Sequence, residues 1–371
     1  QGWRPKMSVT YRRDVDSLGK TWTAGLTTEY GNSEQRDRTT GSFTYLFNRR
    51  SRPYLQLSGG TELTQFNRNN PISTLINSIS TLFFENNFLK AYDRTFGEIY
   101  FSNEWLNGFR FYSSISYERR RPVFNQADFV IIGDDEDVFT SNNPLLPNDF
   151  ETPPFEAHNL MKINLNARIS FNQKYISLPD RKFNLPNEKY PILWLRYTQG
   201  LAGSSSDYHF QQLEARLLQD AKLGNKGVLS YQLAGGQFFS ADGISFADYK
   251  HFNGNQTHIG SSDTYTDVFN FLPYYALSTN EEYAYLHIEH NFKGYLLNKI
   301  PLLQKLNYNL VAGVHVLSTV NQKPYSEYTI GIDNLGFGKF RFLRLDYIRN
   351  YQDGFITDGF IFGLKFLDVF N

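Results

Sequence analysis

Cysteine is absent from this chain. Thiol catalysis, thiolate metal sites and disulfide staples are excluded with it. Net charge is missing too, because 37 basic residues balance 37 acidic ones. Without a basic excess there is no electrostatic footprint for phosphate backbones, and no nucleic-acid partner is expected. Long apolar runs are lacking, and none approaches the ~18 residues of a membrane-spanning helix. Glycine-rich phosphate cradles are also missing. What the chain has in abundance is aromatic: 33 Phe and 25 Tyr at a mean hydropathy of −0.47. A wall with one side chain in two facing lipid and the other facing a wet interior reconciles high aromatic content with polar average composition.

Alternation carries that reading. Ile163, Leu165, Ala167, Ile169 and Phe171 interleave with Lys162, Asn164, Asn166, Arg168, Ser170 and Asn172. Phe109, Phe111, Ile115 and Tyr117 oppose Arg110, Ser114, Ser116 and Glu118. Strand side chains alternate faces, so each segment has one apolar and one polar side, a period no amphipathic helix produces. Fifteen such segments are predicted, near 5–13, 20–30, 38–48, 53–66, 95–105, 109–120, 159–173, 191–199, 209–221, 226–239, 282–294, 305–318, 325–333, 338–350 and 356–367. Most run to about 10–14 residues, the length a tilted strand needs to cross a bilayer. The phase slips between Phe342 and Leu343, which predicts a bulge. The fold class expected is all-β: a transmembrane antiparallel outer-membrane β-barrel of about 16 strands, about 15 of them in this chain.

The connections alternate in character. The compact set is 14–19, 49–52, 106–108, 174–190, 222–225, 295–304 and 334–337; the interleaved set holds the long segments 67–94, 121–158 and 240–281. Short turns are periplasmic and long loops extracellular in such barrels. On that rule the last strand ends in the periplasm and the first starts outside, so an even barrel requires one strand ahead of Gln1. The whole of 1–371 is then one barrel domain.

One long loop breaks the strand pattern. Asn70-Pro71 has the form of a helix start, followed by Ile72, Leu75, Ile76, Ile79, Leu82 and Phe83 at helical spacing. These six are the candidate interface helix, a cover lying along the membrane surface or folded into the barrel mouth. The candidate interior charges are Arg110, Glu118, Lys162, Arg168, Glu289 and Arg344. Their mixed signs favour a salt-bridged lattice over a selective pore, which one sign should dominate.

No catalytic, cofactor or metal site is expected. His287-Ile288-Glu289-His290 is not the two-histidine helical motif, and on a strand the two imidazoles face opposite sides. The acidic run Asp134–Asp137 lacks the spacing of a calcium loop. Gly203-Ser204-Ser205-Ser206-Asp207 is not a nucleophile elbow.

Several stretches resemble a known family: Gln1-Gly2-Trp3, the 70–92 loop (NPISTLINSISTLFFENNFLKAY), 190–200 (YPILWLRYTQG) and 283–306 (YAYLHIEHNFKGYLLNKIPLLQKL). They are similar to the barrel region of Bacteroidota outer-membrane proteins described as DUF5686 and carboxypeptidase-regulatory-like domain-containing. The resemblance implies a regulatory-like β-sandwich upstream and supplies no catalytic residues. It places the chain in the outer membrane of a Gram-negative bacterium, in contact with outer-membrane lipid and lipopolysaccharide. The expected role is a non-enzymatic scaffold or accessory subunit of an export or barrel-assembly complex, with other outer-membrane or periplasmic proteins as partners. The alternative is a diffusion channel or transporter with a loop-constricted lumen.

Overall fold

The structure is a computed structural model that describes residues 4–16, 19–32, 34–125, 130–131, 139–205, 208–260, 264–338 and 340–364. The acidic run 134–137, residues 206–207 and the end of the last predicted strand lie outside them. The strands in chain order are β1 (Lys6–Asp14), β2 (Thr21–Gly31), β3 (Arg36–Leu46), β4 (Tyr54–Gln65), β5 (Ala91–Leu106), β6 (Phe109–Pro122), β7 (His158–Ser170), β8 (Tyr175–Ser177) and β9 (Lys182–Asn184). They continue with β10 (Ile192–Ala202), β11 (Phe210–Lys222), β12 (Val228–Phe239), β13 (Ile259–Gly260), β14 (Tyr283–Asn291), β15 (Asn309–Thr319), β16 (Tyr325–Phe337), β17 (Phe340–Gln352) and β18 (Phe355–Leu364). Among the described residues one α-helix, α1 (Thr74–Phe84), interrupts them.

Sixteen of these strands form one sheet in the order β1 to β7, β10, β11, β12, β14 to β18, then β13. Each of the fifteen predicted segments is one long strand of it, and the sixteenth member is the two-residue β13, parallel to β18. Consecutive long strands pair antiparallel as a meander, the arrangement that short turns permit. Among the described residues no helix is long and apolar enough to cross a membrane.

Burial along the strands is inverted relative to a water-soluble fold. On β16, Tyr328 and Ile330 are 51% and 53% exposed, while Glu327 and Asp333 are 0% and 2%. An apolar face left open with a charged face buried makes sense only if the open face meets lipid. Register shifts between β16 and β17 flank Leu335–Leu343, where the phase slip at Phe342–Leu343 predicts a bulge. Where β4 crosses β3, Gly60 (φ +138°) brings its backbone so close to Thr39 that a Cβ would lie 2.1 Å from the carbonyl oxygen; only glycine fits there.

Three features differ from the sequence expectation. α1 starts later than Asn70-Pro71, because Asn70 is left-handed (φ +50°), whereas an N-cap needs an extended backbone. Ser73 takes that role, its Oγ accepting from Ile76 N at 3.2 Å. Ile72 therefore precedes the helix and is buried at its foot. The compact connection 174–190 contains a separate hairpin, β8–β9. The connection 292–308 holds two 3-10 turns, Leu297–Lys299 and Leu303–Lys305, so β15 starts later than the alternation placed it.

The chain divides into two compact units, Gln1–Pro186 with Trp194–Leu213 and Phe238–Tyr249, and Asn187–Leu193 with Glu214–Gln237 and Lys250–Asn371. The long connection between β12 and β14 contributes to both.

Candidate functional site

In the first unit the polar sheet face carries a buried charge cluster. Ser116, Glu118 and Arg120 share a face of β6 by the two-residue strand period, and Arg94 of β5 stands opposite Arg120. Arg120 donates from Nε and Nη2 to Glu118 Oε2 at 3.0 and 2.9 Å. Arg94 reaches Glu118 Oε1 at 2.8 Å, and Arg68, from the loop after β4, reaches Oε2 at 3.1 Å. Three guanidiniums thus converge on one carboxylate.

The second carboxylate comes from the β12–β14 connection. Ser245 caps a 3-10 turn, Phe246–Asp248, which delivers Asp248 to Arg120. The pair is bidentate: Nη2 to Oδ1 at 3.1 Å, and Nη1 to Oδ2. Lys162 of β7 adds Nζ to Oδ1 at 2.7 Å. Burial alone would raise the Asp248 pKa, but Arg120 and Lys162 outweigh it and hold the carboxyl below the usual carboxylate range. Phe246 packs against Phe66, itself against Tyr92 and Phe155, and the Tyr92 ring of this aromatic cluster lies 5.8 Å from the Arg120 guanidinium.

The second unit repeats the device with other residues. Glu289 of β14 accepts Arg344 Nη1 and Nη2 at 3.1 and 2.8 Å. Arg344 of β17 also holds Asp346, two residues on, at 2.7 and 2.9 Å. Tyr265 of the β12–β14 connection lies over this guanidinium at 4.1 Å, and its backbone N–H donates to Glu289 at 3.2 Å. Glu327 of β16 accepts the N–H groups of Asn270 and Phe271 at 2.8 and 2.7 Å, and the Tyr325 hydroxyl at 2.7 Å. Glu214 of β11 accepts Lys250 Nζ and, at 2.6 Å, the Tyr283 hydroxyl. Tyr265 also packs with Ile348, Ile361 and Phe271. The buried carboxylates of each unit thus bind the connection to the sheet, through side chains in one and largely through backbone in the other.

The six candidate interior charges separate accordingly. Glu118 and Lys162 belong to the first cluster, Glu289 and Arg344 to the second. Arg110 and Arg168 join neither. They are cross-strand neighbours of like charge: Arg110 donates to Ser102 Oγ and the Arg52 carbonyl, both at 3.0 Å, and Arg168 stands over Trp194 at 6.0 Å. Of the candidate helix residues, Ile72 is buried ahead of the cap, Ile76 and Leu82 are half-buried, and Leu75, Ile79 and Phe83 form an exposed stripe. The loop after α1 is pinned to the β6–β7 connection, with Lys90 Nζ donating to Thr140 Oγ1 at 2.6 Å and the Ser141 carbonyl at 2.7 Å. Burial there pushes the Lys90 ammonium down to about 7.

His287 and His290 do face different surroundings. His287 is buried with its Nδ1 2.9 Å from Nδ1 of His315 on β15, and His290 contacts the Lys226 carbonyl at 3.0 Å. Among the described residues no group of three or more His, Asp or Glu side chains is placed to hold a metal ion. Arg68, Arg120, Asp248 and Glu327 escaped the sequence reading. The overlooked signal was the aromatic content of the connection itself: Phe246, Tyr249, Phe252, Tyr265, Phe269 and Phe271 are too apolar for a solvated loop.

The chain aligns over 96% of its length with BamA from Haemophilus ducreyi lacking POTRA domains 1–3, covering 68% of that chain at 10% identity and a TM-score of 0.46. It aligns over 97% with CdiB from Acinetobacter baumannii (58% of that chain, 10% identity, TM-score 0.41) and with a mutant Rh. blastica porin (88%, 12%, 0.38). No curated protein matches it. The profile of a family of unknown function, the DUF5686 C-terminal domain, matches residues 1–332, and the chain belongs to that family.

Proposed function

We propose that the protein is a non-enzymatic, non-conducting outer-membrane barrel that serves as a scaffold or accessory subunit of an envelope complex, in export or barrel assembly. The observation that carries this reading is the β12–β14 connection. Its Asp248, Lys250, Tyr265 and Asn270–Phe271 are bonded to buried charged residues of the sheet. A transport path running between the connection and the sheet would have to release these contacts, and removing one partner of a buried ion pair costs roughly 3–5 kcal/mol. A wall that holds its own loop so firmly suits a part that presents surfaces to other proteins. The second reading, a diffusion channel with a loop-constricted lumen, draws on Arg110 and Arg168, adjacent half-buried cations outside both clusters. The test is quantitative affinity purification from native membranes solubilised in mild detergent. Stoichiometric recovery of one or more envelope proteins is expected; a protein that elutes alone from every detergent and carries solute in proteoliposomes would overturn the scaffold.

A further inference from the structure

The connections at the two ends of the strands differ in charge, although the chain as a whole is neutral. The long connection 123–157 has eight acidic residues and no basic one, and 240–282 has six acidic residues against Lys250 alone. The compact connections reverse this. In the first unit, 47–53 carries Arg49, Arg50 and Arg52 with no acid, and 171–186 carries Lys174, Arg181 and Lys182 against Asp180. In the second unit, 223–227 and 292–308 carry Lys226, Lys293, Lys299 and Lys305 with no acid. Most of these cations are exposed.

Apolar side chains stand beside them. On the β8–β9 hairpin Tyr175, Ile176 and Phe183 are exposed; between the two 3-10 turns of 292–308, Ile300 and Leu302 are, the latter at 77%. Lysines and arginines interleaved with exposed aliphatic and aromatic groups are the pattern of a segment that seats in the headgroup layer of a membrane. Trp22, Trp105 and Trp194 all lie within a few residues of compact connections, and indoles concentrate at that depth.

We infer that the compact connections of each unit bind anionic phospholipid headgroups, 47–53 and 171–186 in the first unit and 292–308 in the second. The inference rests on the membrane-spanning reading and is independent of whether the protein is a scaffold or a channel. Charge complementarity selects the lipid, since each Lys or Arg near an anionic surface contributes roughly a fivefold preference, and the apolar neighbours favour a bilayer over a hydrated acidic polypeptide.

The experiment uses the whole protein in nanodiscs of phosphatidylcholine with one fifth phosphatidylglycerol, brominating one lipid or the other and reading quenching of tryptophan fluorescence. Brominated phosphatidylglycerol should quench at least threefold more per molecule than brominated phosphatidylcholine at low salt. The preference should collapse in 0.5 M NaCl and fall in the Arg50→Ala/Arg52→Ala/Arg181→Ala variant. Heat-modifiable migration verifies that the variant is folded, and the salt response of the unaltered protein stands as a test if it is not. Equal quenching by both lipids, a preference that survives salt, or binding of poly-glutamate without lipid discrimination would overturn the proposal.

Discussion

Replacing Asp248 by Asn should free the β12–β14 connection in the first unit. The carboxylate takes both arms of Arg120 and the Lys162 ammonium, and all three groups are buried. The variant keeps the shape and removes the charge. Glu118 still pairs with Arg120, but Lys162 is left without the carboxylate it donates to. Breaking a buried pair from one side costs about 3–5 kcal/mol, which converts to a factor of roughly 10² to 5 × 10³ in the docking equilibrium. The loss should be local, because the β6–β7 ladder does not depend on the connection. Hydrogen–deuterium exchange read by mass spectrometry is the assay: protection over 240–252 should fall by about that factor while β6 and β7 keep theirs. Adding Lys162→Met should return part of the protection, since a neutral pair leaves no stranded charge. Unchanged protection in Asp248→Asn would refute the claim that this ion cluster holds the connection.

Three more outcomes are expected. The contact of Lys90 with Thr140 and Ser141 should tighten as pH rises from about 7 toward 10: the docked ammonium titrates near 7, a released lysine near its ordinary 10.5, so the released form binds more protons between. Limited proteolysis of 85–91 at pH 7 and pH 9 tests this, and Lys90→Met should remove the difference. Gly60→Ala should lower folding stability, by about 1–3 kcal/mol for the strained backbone alone, whereas Gly41→Ala, with nothing within 4 Å of the new methyl, should not; denaturant titration in lipid vesicles compares them. Ile330→Arg on the open face of β16 should cost roughly 2–4 kcal/mol in a bilayer, and the same titration would contradict the lipid-facing assignment if it showed no loss.

The strands were legible because a lipid-facing wall writes its period directly into the chain. Leu165 and Lys162, or Ile330 and Glu327, declare their faces by type alone. Capping is a finer matter: both Asn70 and Ser73 have capping side chains, and the left-handed backbone at Asn70 decides between them. The charges on the polar face were legible as a set but not as pairs. Glu118 meets Arg120 through strand geometry, yet Asp248 lies 128 residues from Arg120 on an aperiodic connection. Glu327 takes the backbone N–H groups of Asn270 and Phe271, which no side-chain pattern records. Arg110 and Arg168 show the limit of the lattice expectation, since polar-face residues next to each other turned out to share a sign.

On the reading proposed above, the protein's own connection closes the wet side of the sheet. Single-channel conductance in planar bilayers tests it most directly, comparing the intact protein with a variant in which residues 251–279 are replaced by a short Gly/Ser linker. The intact protein should show no stable conductance and the linker variant large, steady steps. Porin-sized conductance from the intact protein would contradict it.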